Sequence, residues 1–291
     1  MSTRIKEAHA FITGLADNPP KLPYDPTLLP RLFKDLSPGS LKSMGDLAAL
    51  VERSQGLATK VLSVANSACY GLAGKVSSLA RAVQILGLLE LRSLVVFFSV
   101  SGALPGSKLP RAFPSKALWE HQIRTAIVGR QIAAIINEAR QPVVDADIIY
   151  TAGLLHDLGK VVLAAREPVV WTEISALSVE RNCDFASAEE SYWGIDHSAV
   201  AGILLEAWGL PEILTQMISW HHCPELANKY IPEVCVLASA NCLAEHGHVD
   251  AVPDRVRELL PENAQRLENK LSLLQAAAQS SRADSLASFA L

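Results

Sequence analysis

The residues with the most chemistry in this 291-residue chain stand in one short stretch, Ala152-Gly-Leu-Leu-His156-Asp157-Leu-Gly159-Lys160. An imidazole beside a carboxylate offers two donors that suit one hard-to-borderline divalent metal, and an ammonium three residues on can hold a phosphate oxygen. The pair alone is weakly specific, because neighbours on a helix point about 100° apart. They converge on one ion only if the helix bends or the ion lies between their faces. The other histidines sharpen the pattern: His121 lies upstream, and His197 and the pair His221-His222 lie downstream. Each of them taken singly reads as a hydrogen-bonded core or surface residue; the set in this order favours a metal-competent pocket, the donor set of a two-metal phosphohydrolase. Lys160 has two readings of equal weight, phosphate contact or satisfaction of helix-terminal carbonyls. His9, His246 and His248 are assigned to the surface, and Asp184 and Glu189 to solvated charges. Cys223 adjoins the histidines, but the imidazole and carboxylate majority argues against a thiolate site.

The elements that must position these groups all read as helices. The apolar spacing predicts a long helix over about 117–140, carrying His121, and another over 145–163, carrying His156 and Asp157 within it. Further helices are expected at 167–181, 187–193, 196–208, 211–220 and 232–245; His197 opens the third of these and His221-His222 close the fourth. Ser187-x-x-Glu190 has the form of a capping box, and Ser43-x-x-Asp46 of a variant. Upstream, Ile5, Ala8, Ile12 and Leu15 form one face of an opening helix, followed by a proline-rich connector and short helices at about 27–36, 43–53, 56–70, 78–86 and 89–101. Asn66-Ser67, on an otherwise apolar helix, reads as a structural hydrogen-bonding pair joining two helices. The tryptophans Trp119, Trp171, Trp193, Trp208 and Trp220 read as core fillers. Residues 102–116, with three prolines, form the best internal boundary, and the tail from Pro253 carries an amphipathic helix. With no alternating strand pattern, the fold class is all-α. Bundles of this kind build metal sites by projecting ligands inward from separate helices.

Composition excludes several classes. Residues 1–117 hold 14 Lys/Arg against 7 Asp/Glu, while residues 118–291 hold 12 against 23, a split that fits a two-part chain. Attraction between the halves explains it more readily than an anionic partner does. The basic residues are scattered, without aromatic interleaving, so no nucleic-acid partner is expected. No uninterrupted apolar run approaches the ~20 residues of a membrane span, and the first residues lack a secretion signal. Five cysteines without a Cys-x-x-Cys pair suggest reduced thiols. A cytoplasmic protein is expected, its input signal arriving from another chain or a small ligand.

Residues 116–245 resemble the HD superfamily of metal-dependent phosphohydrolases, and the order of His121, His156-Asp157-Leu-Gly-Lys160, His197 and His221-His222 is similar to the HD-GYP phosphodiesterases. Three stretches are similar to a narrower family, HDOD (HD-related output domain): Gly56 to Gly71 with its Asn66-Ser67, Ser77 to Gly87, and Gly194 to Pro211 followed by Ile218-Ser-Trp-His-His222. The resemblance spans roughly residues 20–245. It implies an N-terminal helical lobe (23–101) packed on an HD-like metal-binding lobe (117–250) across a linker (102–116), flanked by residues 1–22 and 251–291, in a bacterial signalling setting. It also implies ligand sets: His121, His156, Asp157 and, at the superfamily's last ligand position, Asn241 for a first divalent metal; His197, His221 and His222 for a second, with Asp157 bridging. The metals would be iron, manganese or zinc, with Lys160 and Asp157 as the catalytic pair. Departures are Asn241 where a carboxylate is usual (Ser239 or Glu245 after a small shift), Ser54-Gln55 for Asp-Pro, and Cys223-Pro-Glu225 for Gly-Tyr-Pro. The reading favoured on these grounds is a regulatory protein that contacts an unidentified signalling protein and binds metal, with a nucleotide or phosphate ligand in view. The rival is a metal-dependent phosphohydrolase or phosphodiesterase acting on a phosphate ester or cyclic nucleotide.

Overall fold

The computed structural model describes residues 3–21, 48–49, 51–52, 55–66, 76–87, 91, 93–98, 109–139 and 144–247. The expected helices at 27–36 and most of 43–53, Ser67, residues 102–108 of the boundary, His248 and the C-terminal tail lie outside them. Among the described residues there is no strand, so the all-α expectation stands. The helices are α1 (Thr3–Asp17), α2 (Gln55–Ala65), α3 (Leu79–Leu86), α4 (Ser115–Ala139), α5 (Ala146–Leu155), α6 (Leu158–Arg166), α7 (Pro168–Arg181), α8 (Phe185–Trp193), α9 (His197–Ala207), α10 (Glu212–Ser219) and α11 (Ile231–His246). A 3₁₀ turn at Pro224–Leu226 joins the last two.

The 25-residue α4 is the spine: α5 and α11 pack along it, while α9 lies against α6, α10 and α1. Glycines permit the close crossing of α4 and α5. A Cβ on Gly153 would lie 2.5 Å from the Ala126 Cα, and one on Gly129 would lie 2.8 Å from the Ile149 side chain. α1 is held on α8 and α9 by Phe11 against Trp193 (ring centroids 5.3 Å), Arg4 over Tyr192 (4.0 Å) and the Trp208 indole, which donates to the Pro20 carbonyl (2.9 Å). Trp119, Trp171, Trp193 and Trp208 are buried and Trp220 is half-buried, as core fillers should be. Asn66 also behaves as expected: its amide donates to Leu62 O and Val76 O, and its carbonyl accepts from Val76 N-H, tying the end of α2 to the approach to α3.

Three boundaries depart from the sequence reading. α4 begins at Ser115, within the expected linker, since nothing in Ser115-Lys116 opposes a helical first turn. α8 begins at Phe185, and its cap is Asp184, whose carboxylate accepts from both the N-H and hydroxyl of Ser187; Ser187 is therefore inside the helix, not its cap. The expected 145–163 helix is two helices, broken at His156-Asp157. Together they form, among the described residues, the one stretch long and apolar enough to cross a membrane, Ala146–Arg166, and 89% of its most apolar window is buried within the protein. Asp145 starts this stretch, accepting from the N-H groups of Asp147 (2.9 Å) and Ile148 (3.1 Å). Asp145→Ala is expected to cost about 1 kcal/mol in urea denaturation while Asp145→Asn stays near wild type; equal losses in both would refute the capping role.

Candidate metal centre

The break between α5 and α6 is what lets neighbouring residues share a target. His156 ends α5 in helical geometry (φ −57°, ψ −37°), whereas Asp157 turns to φ −92°, ψ 9° before α6 starts. Asp157 occupies an N-cap position, yet its carboxylate makes no capping bond. It is turned inward, with Oδ2 2.8 Å from Lys160 Nζ and Oδ1 3.0 Å from His197 Nε2. α9 brings His197 this close because Gly159 faces it: a Cβ there would lie 1.9 Å from the His197 carbonyl oxygen.

Three histidines are oriented by their outer nitrogens. His156 Nδ1 lies 2.9 Å from Gly153 O, and His221 Nδ1 lies 2.7 Å from Ile218 O. A carbonyl only accepts, so both Nδ1 atoms carry the proton and both Nε2 atoms are left as acceptors in the neutral ring. His197 Nδ1 lies 2.6 Å from Glu189 Oε2, which also accepts from the His197 backbone N-H at 2.8 Å. A carboxylate or carbonyl behind a histidine fixes its tautomer and raises its basicity as a ligand.

All seven expected ligands come together. Asp157, His197, His221 and His222 offer donor atoms within 4.8 Å of one another, and so do His121, His156 and Asp157, which makes Asp157 common to both groups. Asn241, on α11, points its Oδ1 at His121 Nε2 (2.8 Å), which in turn lies 3.2 Å from His156 Nε2. Of the alternatives to Asn241, Ser239 is spent on the Cys235 carbonyl and the Glu245 side chain is half exposed, one turn farther along the helix. His9 and His246 are exposed, as assigned.

The donor set fits a cation. His156, Asp157 and His221 are buried, and neither Asp157 Oδ1 nor His221 Nε2 has an oriented hydrogen-bond partner. Two acceptors, Asp157 Oδ1 and His222 Nε2, lie 3.0 Å from His197 Nε2, and one proton on that nitrogen serves only one of them. A buried unsatisfied polar atom costs about 1–3 kcal/mol, so a cation among these lone pairs is strongly favoured. Protonation states agree. Burial lowers His156 to about 3 and His221 well below the ordinary imidazole value, and burial followed by His197 lowers His222 to about 4, leaving neutral, ligating rings. His197 is the exception: burial opposes its charge, but the Glu189 carboxylate overrides it and lifts His197 to about 9, so this ring must release a proton to ligate a metal. Asp157 is held well below the carboxylate range: its burial is overcome first by Lys160, then by His156 and His197. Lys160 is lifted in return by Asp157 against its own burial, so the pair is ionised.

Glu189 is a correction. Read from the sequence as a solvated charge, it is fully buried and braces His197. Burial raises its own pKa against the pull of His197. A signal was available, since Ala186, Glu189 and Trp193 share the buried stripe of α8. Asp184, by contrast, is exposed, though engaged as a cap. Burial raises the Cys223 thiol, so the thiol stays protonated beside the histidines. A cavity of about 300 Å³ opens onto His121, Asp157 and Lys160.

The HDOD domain matches residues 22–224. The chain belongs to the HDOD family. An uncharacterized protein of Treponema pallidum (strain Nichols) is 25% identical to this HDOD chain over 242 residues, covering 83% of the chain and 45% of the relative, so the chain spans less than half of that relative's length. An HDOD domain protein of unknown function from Geobacter sulfurreducens superposes with a TM-score of 0.69 at 25% identity, covering 96% of this chain and 98% of the other. Two structures at 23% identity share the fold: a candidate phosphohydrolase from Shewanella amazonensis SB2B (TM-score 0.71, 97% and 98% covered) and a candidate signal transduction protein from Marinobacter aquaeolei VT8 (TM-score 0.81, 99% and 65% covered). For this HDOD chain, Glu189→Gln is expected to lower divalent-metal affinity about 10–100-fold in competitive titration, because the amide no longer polarises His197. An unchanged affinity would reduce Glu189 to a packing role.

Proposed function

We propose that this HDOD protein is a metal-dependent phosphohydrolase acting on a phosphate ester. The observation that carries the reading is the buried Asp157 carboxylate, common to two groups of histidine donors, with an unpaired lone pair at His221 Nε2. His121, His156, Asp157 and Asn241 would hold one divalent metal; Asp157, His197, His221 and His222 the other. Bound divalent metals supply Lewis acidity toward a phosphoryl group and a water nucleophile at neutral pH. The chain's own residues do the rest. Lys160, with one of its three donors on Asp157, has donors left for a phosphate oxygen. Glu189 and the Gly153 and Ile218 carbonyls keep three imidazoles aimed. In hydrolysis the water oxygen bonds to phosphorus, the ester P–O bond breaks, and the alcohol leaves with a proton.

Asn241 favours a second reading, regulation by protein contact through a pocket that binds metal without turnover. An amide oxygen is a weaker, neutral donor, and controls the bound ion less well than a carboxylate. The division of residues 23–250 into an N-terminal lobe and a site-bearing lobe belongs to the same proposal; its support is that every residue of the constellation comes from α4 onward.

Elemental analysis of protein purified without chelator or metal-affinity resin tests the reading. About two equivalents of iron, manganese or zinc are expected, absent from His156→Ala/Asp157→Ala, with turnover of p-nitrophenyl phosphate. Two equivalents without turnover of any ester would shift the conclusion to regulation. No metal after reconstitution would end both.

A further inference from the structure

The cavity beside the metal centre is small and mixed in character. Asp157, His121 and Lys160 give it polar lining. Phe113, Leu118, Trp171 and Phe185 give it apolar, largely aromatic lining, with Phe113 and Trp171 tilted against each other at a centroid distance of 5.4 Å. Glu245, one helical turn beyond Asn241 on α11, stands at the cavity as its other acid. The three kinds of lining demand different chemistry from one occupant. Lys160 takes an anion, the carboxylate of Glu245 accepts from hydroxyl or amine donors, and the aromatic wall takes a flat ring. The volume of about 300 Å³ lies at the bottom of the ~300–1,000 Å³ range of small-molecule sites.

We propose that this cavity binds a phosphate monoester bearing a hydroxylated linker and a single flat ring, of the size of a mononucleotide, and that it excludes a cyclic dinucleotide. The inference rests on the phosphohydrolase reading and narrows its substrate class. A cyclic dinucleotide carries two bases and two phosphates, about twice the bulk. A cavity of about 300 Å³ does not enclose it. A bare sugar phosphate would leave the aromatic wall uncovered.

Calorimetric titration of the full chain loaded with Mn²⁺ distinguishes these occupants. Adenosine 5′-monophosphate should bind about tenfold more tightly than ribose 5-phosphate, the contribution expected of one stacked base. Cyclic diguanylate should neither bind nor displace the mononucleotide. Trp171→Leu should abolish the preference for the ring while leaving ribose 5-phosphate binding unchanged. Ser175, half-buried one turn along α7 from Trp171, gives a second variant that does not disturb the core: Ser175→Phe shortens the cavity and should cost the mononucleotide at least tenfold at unchanged melting temperature. Equal affinity for the two monoesters, or a cyclic dinucleotide that binds as tightly as the mononucleotide, would overturn the inference. Metal content measured on the same samples separates the two failures. The ring preference comes from the aromatic wall, so it persists in EDTA, and a protein that takes up no metal would sink the phosphohydrolase reading while still reporting on the cavity.

Discussion

Asp157→Asn is expected to remove both metal equivalents, whereas His121→Ala removes one. Asp157 is the residue common to the two donor groups, and His121 belongs to one of them. The amide keeps the size of the carboxylate but drops its charge, and leaves Lys160 and His197 facing a neutral group in a buried site. Replacing an outer residue such as Glu189 costs about 10–100-fold in metal affinity, so loss of the shared ligand should exceed about 100-fold at both positions. His121→Ala leaves Asp157, His197, His221 and His222 in place, and about one equivalent should survive. Elemental analysis with competitive titration reads both variants. Retention of either ion at wild-type affinity in Asp157→Asn would show that the carboxylate is not shared.

Gly159→Ala should be among the most destabilising single-methyl changes in the chain. The added carbon would sit 1.9 Å from the His197 carbonyl oxygen and 2.7 Å from its carbon, and backbone atoms cannot rotate aside as a side chain can. α6 and α9 must separate, at about 3 kcal/mol or more, which lowers the melting temperature by roughly 6–12 °C. The same separation draws His197 away from Asp157, so metal affinity should fall with stability. Gly14→Ala is the control. Gly14 is exposed within α1 with nothing within 4 Å of the added carbon, and the change should stabilise by up to about 1 kcal/mol. Urea denaturation of the two variants should move in opposite directions. A Gly159→Ala protein as stable as wild type would mean that the two helices are not locked together as described.

The donor residues were legible because they are chemically rare. Histidines and a His-Asp pair placed on separate apolar helices have few other uses, so type and order identify the set before any geometry is known. Asn241 was found through family resemblance, and its contact with His121 places it beside the donors. Helix existence was likewise readable from periodicity. Helix interruption was not, since apolar residues flank His156-Asp157 on both sides and the helical spacing runs on across the turn at Asp157. That turn depends on α9 packing against Gly159, a contact between residues 38 apart in the chain. Glu189 escaped for a related reason: an acid on a helix is by default solvated, and only its position opposite His197 makes burial favourable.

The sequence by itself determined which atoms are available for chemistry and that helices would carry them, because residue identity and the 3.6-residue period are local properties. The tertiary structure alone decided that Glu189 braces one of the histidines and that the adjoining space is small and lined by aromatic rings as well as by Lys160, Asp157 and Glu245. Those are relations between helices distant in sequence, set by how closely their backbones can approach. A glycine in the right place, not a ligand, governs that distance.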